Sequence, residues 1–544
     1  MSANDFDAIV VGGGHNGLVA AGLLAKAGQR VVVVEARDVI GGAAITERPF
    51  GPDYKVTALS YVVSLMPAAV SKALELERFG YHVYPQGPYF APYTDGRYLQ
   101  LADDPVERHR QIAKFSAHDA DAMVGWDEWL GRLAAVLGPM LDSVPPRIGS
   151  KRPGDLADLG SLGWRLRGLD VQTVGEITRL FTASIADLVE EAFESPQLRG
   201  VLSVSGVIGT WAGPRSPGTA YVMVHHKIGD VGGDDGKLGA WGFPRGGMGG
   251  VSDALAAAAT AFGAEIRTSS PVERIVVDHG RATGVALTSG DELRAPVVIT
   301  TVHPKIAFLQ LVERAALPDD FVTWIERWKT RSGTVKVNLA LDRLPTFSSH
   351  PGVVPDVHGG TIVLAPSLDA VETAFQEAVA GRAAAHPFAD ICIPSVFDPT
   401  LAPAGKHVMS MFTQWVPSSW ADEPHRDELG AYADRLVADV EAVAPGFTDS
   451  ILHRQVIGPY DMEHTYGLVG GNIFHGELSA GQLFHMRPAP GWADFRTPIA
   501  GLYHASSATH GGGGVTGIPG LNAVAAIRED QHTLRRRLRG LVGR

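Results

Sequence analysis

Short runs of consecutive apolar residues alternate along the chain with glycine turns and with stretches that favour helix. Asp7 to Val11 is one such run and "RVVVVEA" (30–36) is the next. Continuous β-branched apolar sequence predicts strands buried on both faces, as in a parallel sheet. Between them, Leu18 to Ala27 has helix-forming composition and closes on Gly28. Residues 105–143 read as helices, because Trp126, Trp129, Leu133, Val136 and Leu137 recur on one face at helical spacing. That stripe is assigned to core rather than to a substrate pocket. A Pro/Gly/basic linker follows at 144–155, then helix over 173–200 and a loop of small residues over 203–220.

Residues 241–268 read as a glycine loop opening an Ala-rich helix, then a strand. A hairpin (271–287) and a buried strand (295–302) come next and return the chain to the first sheet. Strand-like alternation, as in Val335, Val337, Leu339 and Leu341, marks 333–415. An amphipathic helix is predicted over 427–445. Near the end, the strand "GLYHAS" enters four consecutive glycines, and "GIPGLNAVAAI" starts a helix. No internal repeat is visible.

The chain has 544 residues, long enough for about two to four domains. Its balance of 47 basic to 59 acidic residues, a net charge of −12, argues against a general nucleic-acid binder, which needs a basic face. The one cysteine, Cys392, reads as a buried small hydrophobe; it allows neither an internal disulfide nor a CxxC redox pair. The start has no basic, apolar, cleavable leader, and no apolar run approaches the roughly 18 residues that span a bilayer. A cytoplasmic protein is predicted. The basic tail (Arg535, Arg536, Arg537, Arg539, Arg544) leaves peripheral contact with anionic lipid open beside a solvated helix end.

Gly12, Gly14 and Gly17 stand in G-x-G-x-x-G spacing between the first strand and its helix. Gly12 permits the tight turn, Gly14 the approach of backbone to a pyrophosphate, and Gly17 close packing of helix on strand. The helix N-terminus at His15 and Asn16 offers free N–H groups to phosphates. Glu35, about 20 residues on, is placed to accept from a ribose diol. Strand, turn, helix, strand and acid together predict a dinucleotide site. At the other end of the chain, the glycine loop before Ile518 would let backbone lie flat against a flavin ring. The helix N-terminus there would stabilise negative charge on the ring.

Both ends carry a family resemblance. The clamp, the "GGAA" turn (Gly41, Gly42, Ala43) and "THGGGGVTGIPGLNA" (509–523) resemble the phytoene desaturase-like branch of FAD oxidoreductases. "FPRGGMGGVSDAL", "FSAHDADAM", "DPTLAPAGKHVMSMF" and "GNIFHGELSAGQLFHMRP" are similar to its subgroup of carotene ketolases and pyridine nucleotide-disulfide oxidoreductase domain-containing proteins. The likeness covers nearly the whole chain. It departs at Ala43, where many relatives have Arg, and at "YHASSATH", which lacks a Gly-Asp pair that Ser506 and Ser507 would have to replace.

The resemblance implies an α/β fold. A glutathione-reductase-like, Rossmann-like FAD-binding domain would be assembled from 1–75, 241–310 and 495–535. A mixed α+β substrate domain would come from 76–240 and 311–494, helical over 105–200. It implies FAD held by Gly12, Gly14, His15, Asn16, Gly17, Glu35, Ala36, Arg37, Gly41, Gly42, Ala43, Val272, Ser507, Gly514, Val515, Thr516, Gly517 and Ile518. Hydride would pass between a carotenoid- or terpenoid-like substrate and the flavin, in desaturation, isomerisation or ketolation, with oxygen or a quinone as acceptor. No second strand–GxGxxG–helix unit for a tightly bound pyridine nucleotide is visible.

His510, in the flavin loop, is the candidate catalytic residue; a hydrogen-bonded structural role is its alternative. Tyr466, Asn472, His475 and Glu477 are weaker acid–base candidates. His225 and His226 lack metal-ligand spacing, and no metal site is predicted. Arg215 and Arg245 could meet an acidic group or solvent. Amine oxidation on the same fold, and a non-catalytic FAD-stabilised interaction protein, stay open as other classes; oligomeric state is unassigned.

Overall fold

The computed structural model describes residues 5–151, 153–229, 231, 239–352 and 355–542, without the side chains of 153, 355 and 533–542. Strands β1 (Ala8–Val11) and β2 (Val31–Val34) flank helix α1 (His15–Lys26). Helix α2 (Met248–Ala261) leads into β3 (Glu265–Arg267). Strands β4 (Val298–Thr300) and β5 (Leu502–His504) follow, and helix α3 (Ile518–Val542) ends the chain. The five strands form one parallel sheet in the order β5-β4-β1-β2-β3. β1, β2 and β4 are buried throughout, which is why their sequence is continuously apolar. The fold is the Rossmann-like α/β arrangement expected from the pattern.

Helix α1 packs against α2 and α3 on one face of this sheet. The close approaches are glycine-made. A Cβ on Gly17 would stand 2.1 Å from the Gly12 carbonyl, and one on Gly520 would stand 2.3 Å from the Asn16 carbonyl. The hairpin Val272–Asp278/Arg281–Leu287, with Glu292–Arg294 as a third strand, packs on the opposite face.

A second, seven-stranded sheet runs Ile451–Ile457, Thr334–Leu341, His407–Gln414, Phe388–Cys392, Ile362–Leu364, Tyr89–Pro92, Tyr98–Leu101. Its pairings are antiparallel except for Ile362–Leu364 beside Tyr89–Pro92. The helices Ala117–Leu141, Val171–Thr182, Ile185–Ala192 and Thr219–Ile228 gather to one side. Trp126, Leu133 and Leu137 are buried there, so the stripe is core as expected. Trp126 and Trp129 also border a lesser groove of about 290 Å³.

Some elements differ from the pattern-based expectation. Helix Leu368–Val379 interrupts the region expected to be strand; Ser367 caps it by accepting from Ala370 N–H at 3.1 Å. Its apolar residues Leu368, Val371, Ala374, Phe375 and Ala378 are spaced for a helix, but the strands around them hid that period. Helix Pro153–Leu166 begins inside the expected linker, and Pro196–Val204 overruns the expected loop.

Replacing Gly17 with Ala must push α1 off the β1 turn. We expect the melting temperature to drop by several degrees, matching an overpacking cost of about 1–3 kcal/mol. Gly131→Ala is the control. It lies mid-helix with no atom within 4 Å of the added Cβ, so calorimetry should show an unchanged or slightly higher melting temperature.

Candidate active site

Parallel strands end their pleat together, and the crevice beyond their carboxyl ends is where such sheets take ligands. Here Gly12 follows β1, Glu35 follows β2, Thr301 to His303 follow β4, and Ser507 follows β5. All line one cavity of about 450 Å³. Thr334, Lys336 and Phe412 of the larger sheet close it from the other side.

The glycine turn has the geometry that its spacing implied. Gly12 has φ +105°, and a Cβ there would lie 2.6 Å from Thr301 Oγ1. At Gly14 an added Cβ meets nothing within 4 Å, so backbone is open to the cavity. Gly41 N–H donates to the Gly13 carbonyl at 2.9 Å, laying the second glycine pair beside the first. Glu35 is buried; its carboxylate accepts from Gly13 N–H (2.7 Å) and Arg37 N–H (3.0 Å). Ala36, Arg37, Gly42 and Ala43 line the same end, where the Arg37 guanidinium lies 5.1 Å from the Tyr466 ring centroid.

From the far end of the chain, Ser507, Gly514 and Val515 line the cavity beside His15 and Asn16. Asn16 Nδ2 donates to Ser507 Oγ at 3.4 Å. The other expected cofactor residues stand behind this surface. Gly17 and Gly41 shape the turns. Gly517 (φ +70°) packs on Val19 and Val70. Thr516 Oγ1 accepts from Ile518 N–H and donates to the Gly511 carbonyl, both at 3.1 Å, capping α3. Val272 lies on the hairpin, outside the cavity wall.

His510 is placed elsewhere than the sequence suggested. It does not line the cavity; its Nε2 meets the Met140 carbonyl at 2.8 Å and its ring lies against Phe484. Of the weaker candidates, Tyr466 and His475 face the cavity. Asn472 instead donates to the Arg331 carbonyl (2.9 Å), and Glu477 pairs with Arg331 at 2.8 Å. His225 and His226 hydrogen-bond to carbonyls of Gly513 and Val222. Arg215 pairs with Glu190 and Asp369, and Arg245 is exposed.

Several residues became visible only in three dimensions. Arg487 is fully buried with carbonyls as its partners, among them Phe474 (2.8 Å), Ser507 (2.9 Å), Gln482 (3.2 Å) and Thr509 (3.3 Å). It ties the loop before α3 to the segment that carries His475. His303 and His475 have ring centroids 5.4 Å apart. Lys336 interrupts a fully buried strand, a charge in an apolar run that could have flagged it.

The residues present fit a flavin dinucleotide. His15 Nε2, Asn16 Oδ1, His303 Nε2 and His475 Nδ1 are buried without a hydrogen-bond partner among the described residues, and all four residues line the cavity beside the open Gly14 backbone. A large polar ligand would satisfy them. When bound, FAD supplies the hydride chemistry. Burial pushes His15 down to about 4, and His475 and His504 down to about 3, so their rings are neutral at physiological pH.

A glycine-turn Rossmann crevice closed by a mixed sheet and a C-terminal glycine loop defines a flavin-dependent oxidoreductase. Family comparison agrees. Residues 209–520 match the model of the flavin containing amine oxidoreductases, and 10–73 match that of an NAD(P)-binding Rossmann-like domain. The chain belongs to the flavin-containing amine oxidoreductase family. Pyridine nucleotide-disulfide oxidoreductase domain-containing protein 2 of Rattus norvegicus is 39% identical over 97% of this chain and 94% of its own. A limonene dehydrogenase polypeptide of Castellaniella defragrans is 26% identical over 96% and 94%. The chloroplastic prolycopene isomerase of Daucus carota is 28% identical over 41% of this chain and 34% of its own. Among solved structures, cyclohexylamine oxidase from Brevibacterium oxydans superposes with a TM-score of 0.56 at 20% identity, over 97% of this chain and all of that one. Putrescine oxidase bound to putrescine gives 0.57 at 16% identity, over 96% and 99%.

Gly14→Leu should fold, since its φ is ordinary and its Cβ points into open space. We expect a protein with a normal circular dichroism spectrum that retains no flavin. The buried histidines set the pH response. Their folded pKa values lie below 6.5, so unfolded rings take up protons that the fold refuses. Stability should be flat above about pH 7. It should fall as pH drops from 6.5 towards 4, by about 1.4 kcal/mol per pH unit per imidazole. Guanidinium midpoints across this range should show the fall, with a shallower slope in His475→Asn.

Proposed function

We propose that this chain oxidises or isomerises an apolar, polyene- or terpenoid-like substrate. A hydride would pass between a substrate carbon and flavin N5, by desaturation, isomerisation or ketolation. The supporting observation is the apolar part of the cavity wall, where Leu59, Val62, Leu65, Ile208, Phe412 and Phe474 line it. The names of the limonene and prolycopene enzymes fit the same substrate class. Oxygen or a quinone serves as acceptor in this reading. The chain's own part is to exclude water, to hold the substrate against the apolar wall, and to keep the His15, His303 and His475 rings neutral beside the reacting groups.

The reading includes the division into a cofactor domain (1–75, 241–310, 495–535) and a substrate domain (76–240, 311–494). It also includes peripheral contact with a membrane, from which an apolar substrate would be drawn. Among the described residues, no helix is long and apolar enough to cross a membrane. Ile148 in a turn, Leu156 and Trp164 on helix Pro153–Leu166, and Val171 and Val174 on helix Val171–Thr182 are exposed, which supports a surface that meets lipid. The arginine side chains of the tail lie outside the described residues.

Amine oxidation is the second reading, favoured by the family's description. The lysine on the cavity wall disfavours a cationic substrate. Purified protein should be yellow, and anaerobic titration with a polyene and terpenoid panel should bleach its flavin band while an amine panel leaves it unchanged. Bleaching by amines alone would reverse the choice, and a colourless chain that takes up no FAD would end both readings.

A further inference from the structure

Three neighbouring strands of the larger sheet place Lys336, Phe412 and Asp390 directly across from one another. Paired residues of antiparallel strands project to the same face. A cation, a ring and a carboxylate therefore form one row, with the two charges separated by two strand spacings, about 10 Å. Tyr61 covers the row. Its ring stacks on Phe412 at 5.8 Å, and Lys336 Nζ lies 4.5 Å from its centroid.

Lys336 and Asp390 are 1% and 0% exposed. Among the described residues Lys336 touches no carboxylate; its ammonium donates to the Ser410 hydroxyl. Neither oxygen of Asp390 makes a hydrogen bond of ordinary geometry, and the Tyr61 hydroxyl is its polar neighbour. Buried charges are ordinarily paired, because an unpaired one forfeits its hydration without return. Burial pushes Lys336 down and Asp390 up, both to about 7, and each draws the other back towards its charged form. An anion brought to the ammonium would restore its charge.

The cavity supplies the place for that anion. Lys336, Tyr61 and Phe412 line it, whereas Asp390 stays behind them. Thr334 lies two residues before Lys336 on the same face of the strand, lines the cavity, and has an unpartnered Oγ1. An ammonium that spends one donor on Ser410 and a hydroxyl without a partner among the described residues thus stand side by side on the cavity wall.

We infer that Lys336 and Thr334 bind an acidic oxygen of the substrate, so that the substrate is an apolar chain or ring system ending in a carboxylate. This rests on the cavity being the substrate site proposed above. A bare hydrocarbon would leave the ammonium against an apolar surface, and an amine would set like charge beside it.

Calorimetric titration of the full, FAD-saturated chain with dodecanoate, dodecan-1-ol and dodecylamine tests this. Dodecanoate should bind at least about tenfold more tightly than the alcohol, the scale of one charge-assisted hydrogen bond, and the amine weakest. The preference should vanish in K336M and persist in K336R, with K336Q as the fallback should K336M fail to fold. Equal affinities for acid and alcohol in the unaltered chain overturn the inference. So does a preference that survives K336M and K336Q, or a K336M variant in which only the flavin spectrum changes. Flavin content is read in the same samples. A colourless protein defeats the redox reading, while the heats of binding still decide the carboxylate site.

Discussion

The site depends on the contact between α1 and the last segment of the chain. Gly520 lies against the Asn16 carbonyl, Gly517 against Val19, and Ser507 accepts from Asn16 across 491 residues of sequence. The Gly520 approach is closer than a side chain would permit, and Gly517 holds a φ of +70° that side chains rarely adopt. The N-terminus of α1 therefore faces the cavity with the C-terminal glycine loop beside it, and the larger sheet needs only to close the third side.

Much of this frame is legible in the sequence because its signals are local. Gly12, Gly14 and Gly17 stand at the spacing a phosphate turn requires, whatever the rest of the chain does. The valine runs of β1 and β2 announce burial on both faces. The residues that face a distant partner are another matter. Nothing beside His510 shows that Met140 will supply a carbonyl to it, so its place in a glycine loop did not reveal that the ring turns away from the cavity. Arg487 reads as one arginine among many until carbonyls from separate segments are seen to converge on it. Lys336 was legible only as an irregularity, because the alternation of Val335, Val337 and Leu339 drew attention to the apolar positions.

The two walls of the cavity solve the problem of buried polarity in different ways. On the cofactor side, imidazoles and amides are kept neutral and left with free hydrogen-bonding atoms, which suits a large ligand rich in donors and acceptors. On the sheet side, two ionisable groups are buried apart, with Phe412 between Lys336 and Asp390 and Tyr61 laid over them. The first arrangement tolerates a ligand that is always present. The second leaves the ammonium one hydroxyl partner, Ser410, and donors to spare on the cavity side.

The parallel sheet has a consequence for how the chain matures. Its central strands are made first, yet β5, the glycine loop and α3 come from the final stretch, and the loop is held through Arg487. During synthesis β4 stays an open edge, and the face of α1 that α3 will cover meets water until the last residues leave the ribosome. A ribosome that stops short of residue 500 releases a chain that lacks β5, the glycine loop and the cover of α1, so its apolar helix face stays exposed.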